Sequence, residues 1–189
     1  MRERLIALVK AGHVEQAREL SQSLGGLLDL SGVDLSGVDL TDANLRGALL
    51  NEANLTGTNL HCACLRKANL RGAQLNGAQL DGADLSGANL SGADLNEADL
   101  SGADLQGTTL NGAVLFGASL HGSHLHGTDL EGADLCEADL SDTDLNRANL
   151  KGARYNHIPS WEDGPITHFP DGFDPKAVGM IVVIPDLFF

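Results

Sequence analysis

The chain has 189 residues, enough for one domain of ordinary size, and its 26 Asp and Glu against 12 Lys and Arg give a formal net charge of −14. That balance speaks against general nucleic-acid binding, because neutralising phosphates requires clustered Lys and Arg. Aromatic residues make up only 4% of the sequence while Gly occurs 23 times, so a core must be built from Leu and Ala rather than from large rings.

The first residues, MRERLIALVKAGHVEQ, are charged early, and the apolar run LIALV is too short for a signal-peptide core or a membrane span. Cys62, Cys64 and Cys136 are an odd set without a disulfide framework, which points to a reducing compartment. The expectation is a cytoplasmic protein with no membrane partner. Residues 2–24 are helical by pattern: Leu5, Leu8 and Val9 make one short face, Gly12 breaks it, and Val14, Ala17, Leu20 and Leu24 make another. Gly25-Gly26 ends that pattern. Residues 1–25 therefore read as an α-helical cap over whatever follows, with a partner-binding helix as the alternative.

From Leu30 to Leu150 every fifth residue is Leu, 25 in all, and Tyr155 takes the next position. Neither standard element accepts this period. On an α-helix each such step advances by about 140°, which leaves no apolar stripe. On a flat strand an odd spacing throws successive leucines onto opposite faces. Within one block, Ala83-Asp84-Leu85, strand alternation puts Ala and Leu inward and Asp outward, and Ser86-Gly87 forms the corner that presents Ala88 inward again. Gly fills only 17 of the 25 second corner positions, with Glu52, Lys67, Glu97, Glu137 and Arg147 among the exceptions. The corner is therefore expected not to require a positive φ. A chain that steps, turns and repeats closes into a stacked coil whose ends need caps.

The pattern A-[D/N]-L-x-x, seen here as ADLSG, ANLSG and ADLNE, resembles the signature of pentapeptide-repeat proteins over residues 26–155. The resemblance implies an all-β fold, a right-handed quadrilateral β-helix with four blocks and about twenty residues per coil. It also implies six to seven coils, with outward residues stacking in columns. One column is Asn44, Cys64, Asp84, Asp104, His124, Asp144; a second is Asp34, Asn54, Gln74, Asp94, Val114, Asp134; a third is Asp39, Asn59, Gln79, Asp99, Ser119, Asp139.

After Tyr155 the composition changes. Residues 156–189 hold all five prolines together with Trp161, Phe169, Phe173, Phe188 and Phe189, and read as a Pro- and aromatic-rich cap and tail. Such a segment is not expected to continue the coil but to lay rings over its last turn. The stretch THFPDGFDPKAVGMIV resembles a tail that follows the repeats in many cyanobacterial members of the family. The apolar end, MIVVIPDLFF, suits either a strand tucked against the coil or a self-association surface, so a homodimer through a terminal cap is one expectation.

Recognition is expected on outward residues, and the candidate interaction surface is Asp84, Asp94, Glu97, Asp99, Asp104, Asp134, Asp139 and Asp144, facing an unidentified protein partner. Some pentapeptide-repeat proteins are thought to mimic duplex DNA and bind gyrase, and the repeat region, with 18 acidic against 7 basic residues, suits that alternative. Arg46, Arg66, Lys67 and Arg71 in the first coils oppose it, as does the lack of projecting loops and of Phe at the central slot. The histidines of LHGSHLHGTDL (His121, His124, His126) and the HCAC motif (His61, Cys62, Cys64) raise metal binding. The former lie on a convex surface and the latter matches no standard zinc spacing, so no metal and no cofactor is expected. No nucleophile constellation or phosphate-cradling loop is apparent, and the reading is non-enzymatic.

Overall fold

The computed structural model describes residues 2–23, 26–157 and 165–183. Helix α1 spans Arg2–Lys10 and α2 spans Val14–Ser23. Gly12, at φ 77°, ends α1, where its N–H donates to the Val9 carbonyl at 2.9 Å and the His13 N–H donates to Leu8 at 2.8 Å. This six-to-one and five-to-two pairing closes the helix in a Schellman turn and folds α2 back. Leu5, Val9, Val14 and Ala17 are buried in the same core as the repeats. Arg2 and the Arg18 guanidinium, the latter at 2.8 Å, donate to the Ser31 and Arg46 carbonyls of the first coil.

From Asp29 onward the backbone pairs in parallel with itself at a spacing of twenty residues: Asp29 with Leu49, Asp34 with Asn54, and so on through Asp134 with Arg154. Each coil therefore has four faces of one block each. We name a face, with the corner that follows it, by its first outward residue: the Asp29, Asp34, Asp39 and Asn44 faces. One paired residue per face is too short for an extended strand. The strands proper are β1 (Arg154–Tyr155) and β2 (Ile181–Val182) among the described residues. Leu49 stands in the outward slot, while the leucines at every fifth position from Leu30 to Leu140 are 0–2% exposed and stack inside. Each contributes about 1.5–3 kcal/mol by its burial. The small position two before each leucine is mostly Ala, with Val33, Val38, Ser123 and Thr143 among the replacements; at Thr58, Thr108 and Thr128 the hydroxyls donate to the Leu35, Leu85 and Leu105 carbonyls of the preceding coil.

One block shows how the backbone is satisfied. The Ala83 N–H donates to Leu80 at 3.0 Å across the corner, Asp84 to Ala63 at 3.0 Å, Leu85 to Asp104 at 2.8 Å and Gly87 to Gln106 at 2.9 Å. The fifth N–H, of Ser86, donates to the Asp84 carboxylate at 3.1 Å. The corner is a four-residue turn from Leu to the next small residue with φ positive only at its third position, which defines type II. All 25 corners share that sign: the glycines from Gly32 to Gly152 and the eight others, Asp42, Glu52, Cys62, Lys67, Glu97, Glu137, Asp142 and Arg147, at φ 54–63°. The expectation that the corner does not need positive φ is therefore wrong. Side chains are accepted there because the left-handed conformation costs a residue only about 1–2 kcal/mol. At Lys67 and Glu97 the Cγ also packs over the next coil's glycine, 3.6 Å from where a Cβ would stand on Gly87 and Gly117.

The tail departs from expectation in part: two of its segments continue the coil, and the second of them is the strand against the coil that is one reading of the apolar end. Thr167-His168-Phe169 repeats the small, outward, large order, and His168 pairs with Asp139 where the next outward residue would stand. Further on, β2 pairs in parallel with β1, Ile181 opposite Arg154 and Val182 opposite Tyr155. The Asn156 side chain joins residues 165–167 to the coil: its Oδ1 accepts from the N–H groups of Glu137 and Thr167, at 2.7 and 3.1 Å, and its Nδ2 donates to Pro165. Rings do cover the end, with Tyr155 edge-on to Phe169 at 5.6 Å and Phe169 stacked on Phe173 at 5.1 Å. Trp161, Phe188, Phe189 and Leu24 lie outside the described residues.

Candidate interaction surface

The outward slot is built before it is displayed. Wherever Asp or Asn occupies it, from Asp29 to Asn149, its Oδ1 accepts the N–H of the residue two positions on. Asp94 takes that of Asn96 at 3.2 Å, Asp99 that of Ser101 at 2.9 Å, and Asp104 that of Gln106 at 3.0 Å. That N–H is the one the coil leaves without a backbone partner, so the short carboxylate or amide completes each turn from outside. The same bonds lower several carboxyl pKa values. The Ser31 N–H holds Asp29 below the usual carboxylate range, and the Ser36 and Thr41 hydroxyls do the same for Asp34 and Asp39. At Asp139 burial pushes upward, but the Ser141 hydroxyl and N–H, with His168 and His121 nearby, pull the other way and the net shift is downward.

Charge is sorted by face. The Asp39 face carries Asp39, Asp42, Asp81, Asp99, Asp139 and Asp142 and no Lys or Arg. The Asn44 face carries Arg46, Arg66, Lys67 and Arg147 against Asp84, Asp104 and Asp144. The Asp29 face carries four acidic residues with Arg71 and Lys151, and the Asp34 face five with Arg154.

The eight expected surface residues are therefore dispersed. Asp84, Asp104 and Asp144 lie on the Asn44 face, Asp94, Glu97 and Asp134 on the Asp34 face, and Asp99 and Asp139 on the Asp39 face. Asp84 is 3.4 Å from the Arg66 guanidinium and Asp134 is 3.0 Å from that of Arg154, so both are already partnered. Glu97 is a corner residue. The three neighbouring histidines are not drawn together. His121 turns to the next coil, its Nδ1 at 2.9 Å from the Ser141 hydroxyl, while His124 pairs in the ladder between Asp104 and Asp144 on another face. Among the described residues no group of three or more His, Cys, Asp or Glu is placed to hold a metal ion.

Two features escape column reading of the outward slot alone. One is an apolar strip on the Asp34 face, where Phe116 is 38% exposed near Val114. Burial pushes the thiol of Cys136 on that face up to about 12, and the neighbouring Asp134 adds to the rise. The other is a contact between His61 and Asp81, at 2.5 Å. They are twenty residues apart, so the column spacing would have paired them had it been applied to the slot after Leu. No helix among the described residues is long and apolar enough to cross a membrane.

A family model of pentapeptide repeats matches residues 34–72, 73–112 and 113–152. Similar solved structures include HetL, a pentapeptide repeat protein involved in heterocyst differentiation regulation in the cyanobacterium Nostoc sp. strain PCC 7120. It is 35% identical over 73% of this chain and 74% of its own, with a TM-score of 0.28. Rfr23 from the cyanobacterium Cyanothece 51142 is 26% identical over 74% of this chain and 93% of its own, with a TM-score of 0.45. QnrB1, a plasmid-mediated fluoroquinolone resistance protein, is 21% identical over 79% and 81%, with a TM-score of 0.37. No curated protein matches. Pentapeptide repeat proteins fold as right-handed quadrilateral β-helices. The four-faced coil and the matched blocks lead to one assignment: this chain belongs to the pentapeptide-repeat family.

Proposed function

We propose that this chain is a non-catalytic scaffold that docks its Asp39 face onto a basic surface of a protein partner. The observation that carries this reading is the sorting of charge, six aspartates on one face without a Lys or Arg among them. Fields from like charges held in a column add, so they steer a complementary surface toward that side of the rod. The interior gives no room for a substrate, being filled by Leu and Ala. A mimic of duplex DNA that binds a topoisomerase is the competing reading. The four cations of the Asn44 face suit it poorly, because a duplex carries phosphate on both strands.

The test exploits the equivalence of Asp and Asn in the turn. Asp39, Asp99 and Asp139 changed together to Asn keep the coil and remove charge from one face, and the same change at Asp84, Asp104 and Asp144 serves as the control. In affinity capture from source cells the first variant is expected to lose a partner that the wild type and the control retain. Equal recovery by both variants would overturn the reading, and so would recovery of gyrase with inhibited supercoiling.

A further inference from the structure

The corner between the Asp39 and Asn44 faces holds a thiol, an imidazole and a carboxylate in series. Cys62 Sγ is 3.3 Å from His61 Nε2, and His61 Nδ1 is 2.5 Å from Asp81 Oδ2. A carboxylate accepts, so Nδ1 carries the ring proton and Nε2 is left with its lone pair toward the thiol. Both backbones are anchored: the His61 N–H donates to Asn59 Oδ1 at 3.0 Å, and the Cys62 N–H to the Asp81 carbonyl at 3.1 Å. Cys62 sits at φ 54°, which turns its side chain outward over Gly82, where a Cβ would come within 3.2 Å of the sulfur. Gly82 thereby leaves the thiol its place. Cys62 and His61 are both exposed. The other two thiols lack this arrangement, Cys136 being buried and Cys64 standing in the outward slot between Asn44 and Asp84.

We propose that Cys62 is a site of mixed-disulfide formation with low-molecular-weight disulfides, with His61 as the base and Asp81 positioning it. His61 Nε2 takes the thiol proton as the sulfur attacks one sulfur of the incoming disulfide. The S–S bond of the reagent breaks, a new one forms to Cys62, and the departing thiolate collects the proton from His61. The reagent is the oxidant: one of its halves leaves reduced, as a thiol. General-base assistance of this kind operates when base and nucleophile lie within hydrogen-bond reach, as they do here. The inference is separate from the docking proposal, because its chemistry is read on the isolated protein.

Full-length protein is incubated with oxidised glutathione at neutral pH, quenched at intervals, and mapped by peptide mass. Cys62 is expected to be modified about tenfold faster than Cys64, with Cys136 slower still, and His61→Ala should erase that advantage. Asp81→Asn should slow Cys62 as His61→Ala does, Asp81→Glu should recover most of the rate, and the melting temperatures of these variants should agree. Equal rates at Cys62 and Cys64 in the wild type overturn the proposal without any variant. An unchanged Cys62 rate in folded His61→Ala overturns it as well.

Discussion

At each outward Asp or Asn two demands meet in one side chain. The turn needs a short acceptor for an N–H that the coil leaves over, and the surface takes whatever charge that acceptor brings. Asp99 illustrates the separation, since its Oδ1 bond to Ser101 at 2.9 Å needs a carbonyl-type oxygen and not a negative charge. Asp99→Asn should therefore leave the denaturation midpoint where it is, while Asp99→Ala should cost about 1 kcal/mol by chemical unfolding. Equal losses in the two variants would mean that charge and not the turn bond matters at this slot. The corner position carries the opposite logic, since backbone sign is imposed there on Glu52 or Arg147 as firmly as on Gly.

Among the elements, the C-terminal segment is tied to the coil by one side chain as well as by its rings. Asn156 is 2% exposed, and its amide joins Glu137, Thr167 and Pro165. Asn156→Ala takes that acceptor from the Glu137 N–H, while the Thr167 N–H keeps the Asn156 backbone carbonyl at 2.9 Å, and should destabilise the docking of residues 165–183 by about 1–3 kcal/mol. Limited proteolysis checks this, with cleavage expected in the tail while the repeats stay intact. How much could be read beforehand follows from the same elements. The Leu period is enough to infer coil and inward face, because one spacing recurs without a gap, while four-sidedness comes only from the family resemblance. Thr167-His168-Phe169 is opaque because it keeps the small, outward, large order but loses both Leu and the spacing, and at Ile181-Val182 only the backbone partner decides between strand and self-association surface. The site was less legible. Asp and Asn were read as charge alone, and the Asp81 contact with His61 depends on side-chain direction across coils.

For the whole molecule, acid sensitivity is uneven. Asp29, Asp34, Asp39 and Asp139 have folded pKa values below their unfolded ones, so each stabilises the coil above its unfolded pKa of about 3.9. That contribution fades as pH falls through the lower, folded value. Three of the four stand in the first coil, beneath the helical cap. Acidification below about pH 4 should therefore loosen this end before the middle. Hydrogen exchange corrected for intrinsic rates should show the Leu35 and Leu40 amides losing protection ahead of those of Leu85 and Leu90; simultaneous loss would contradict it. Stepwise loss is natural in a rod whose coils touch only their neighbours.

The outward slot that accepts Asp and Asn alike has a genetic consequence. Codons for these two residues differ by a single base, so one transition switches a unit of charge on or off while the turn beneath stays closed. Lineages can redraw the electrostatic pattern along the rod through steps that are each nearly neutral for folding. Such a coil can change its surface charge without passing through an unfolded ancestor.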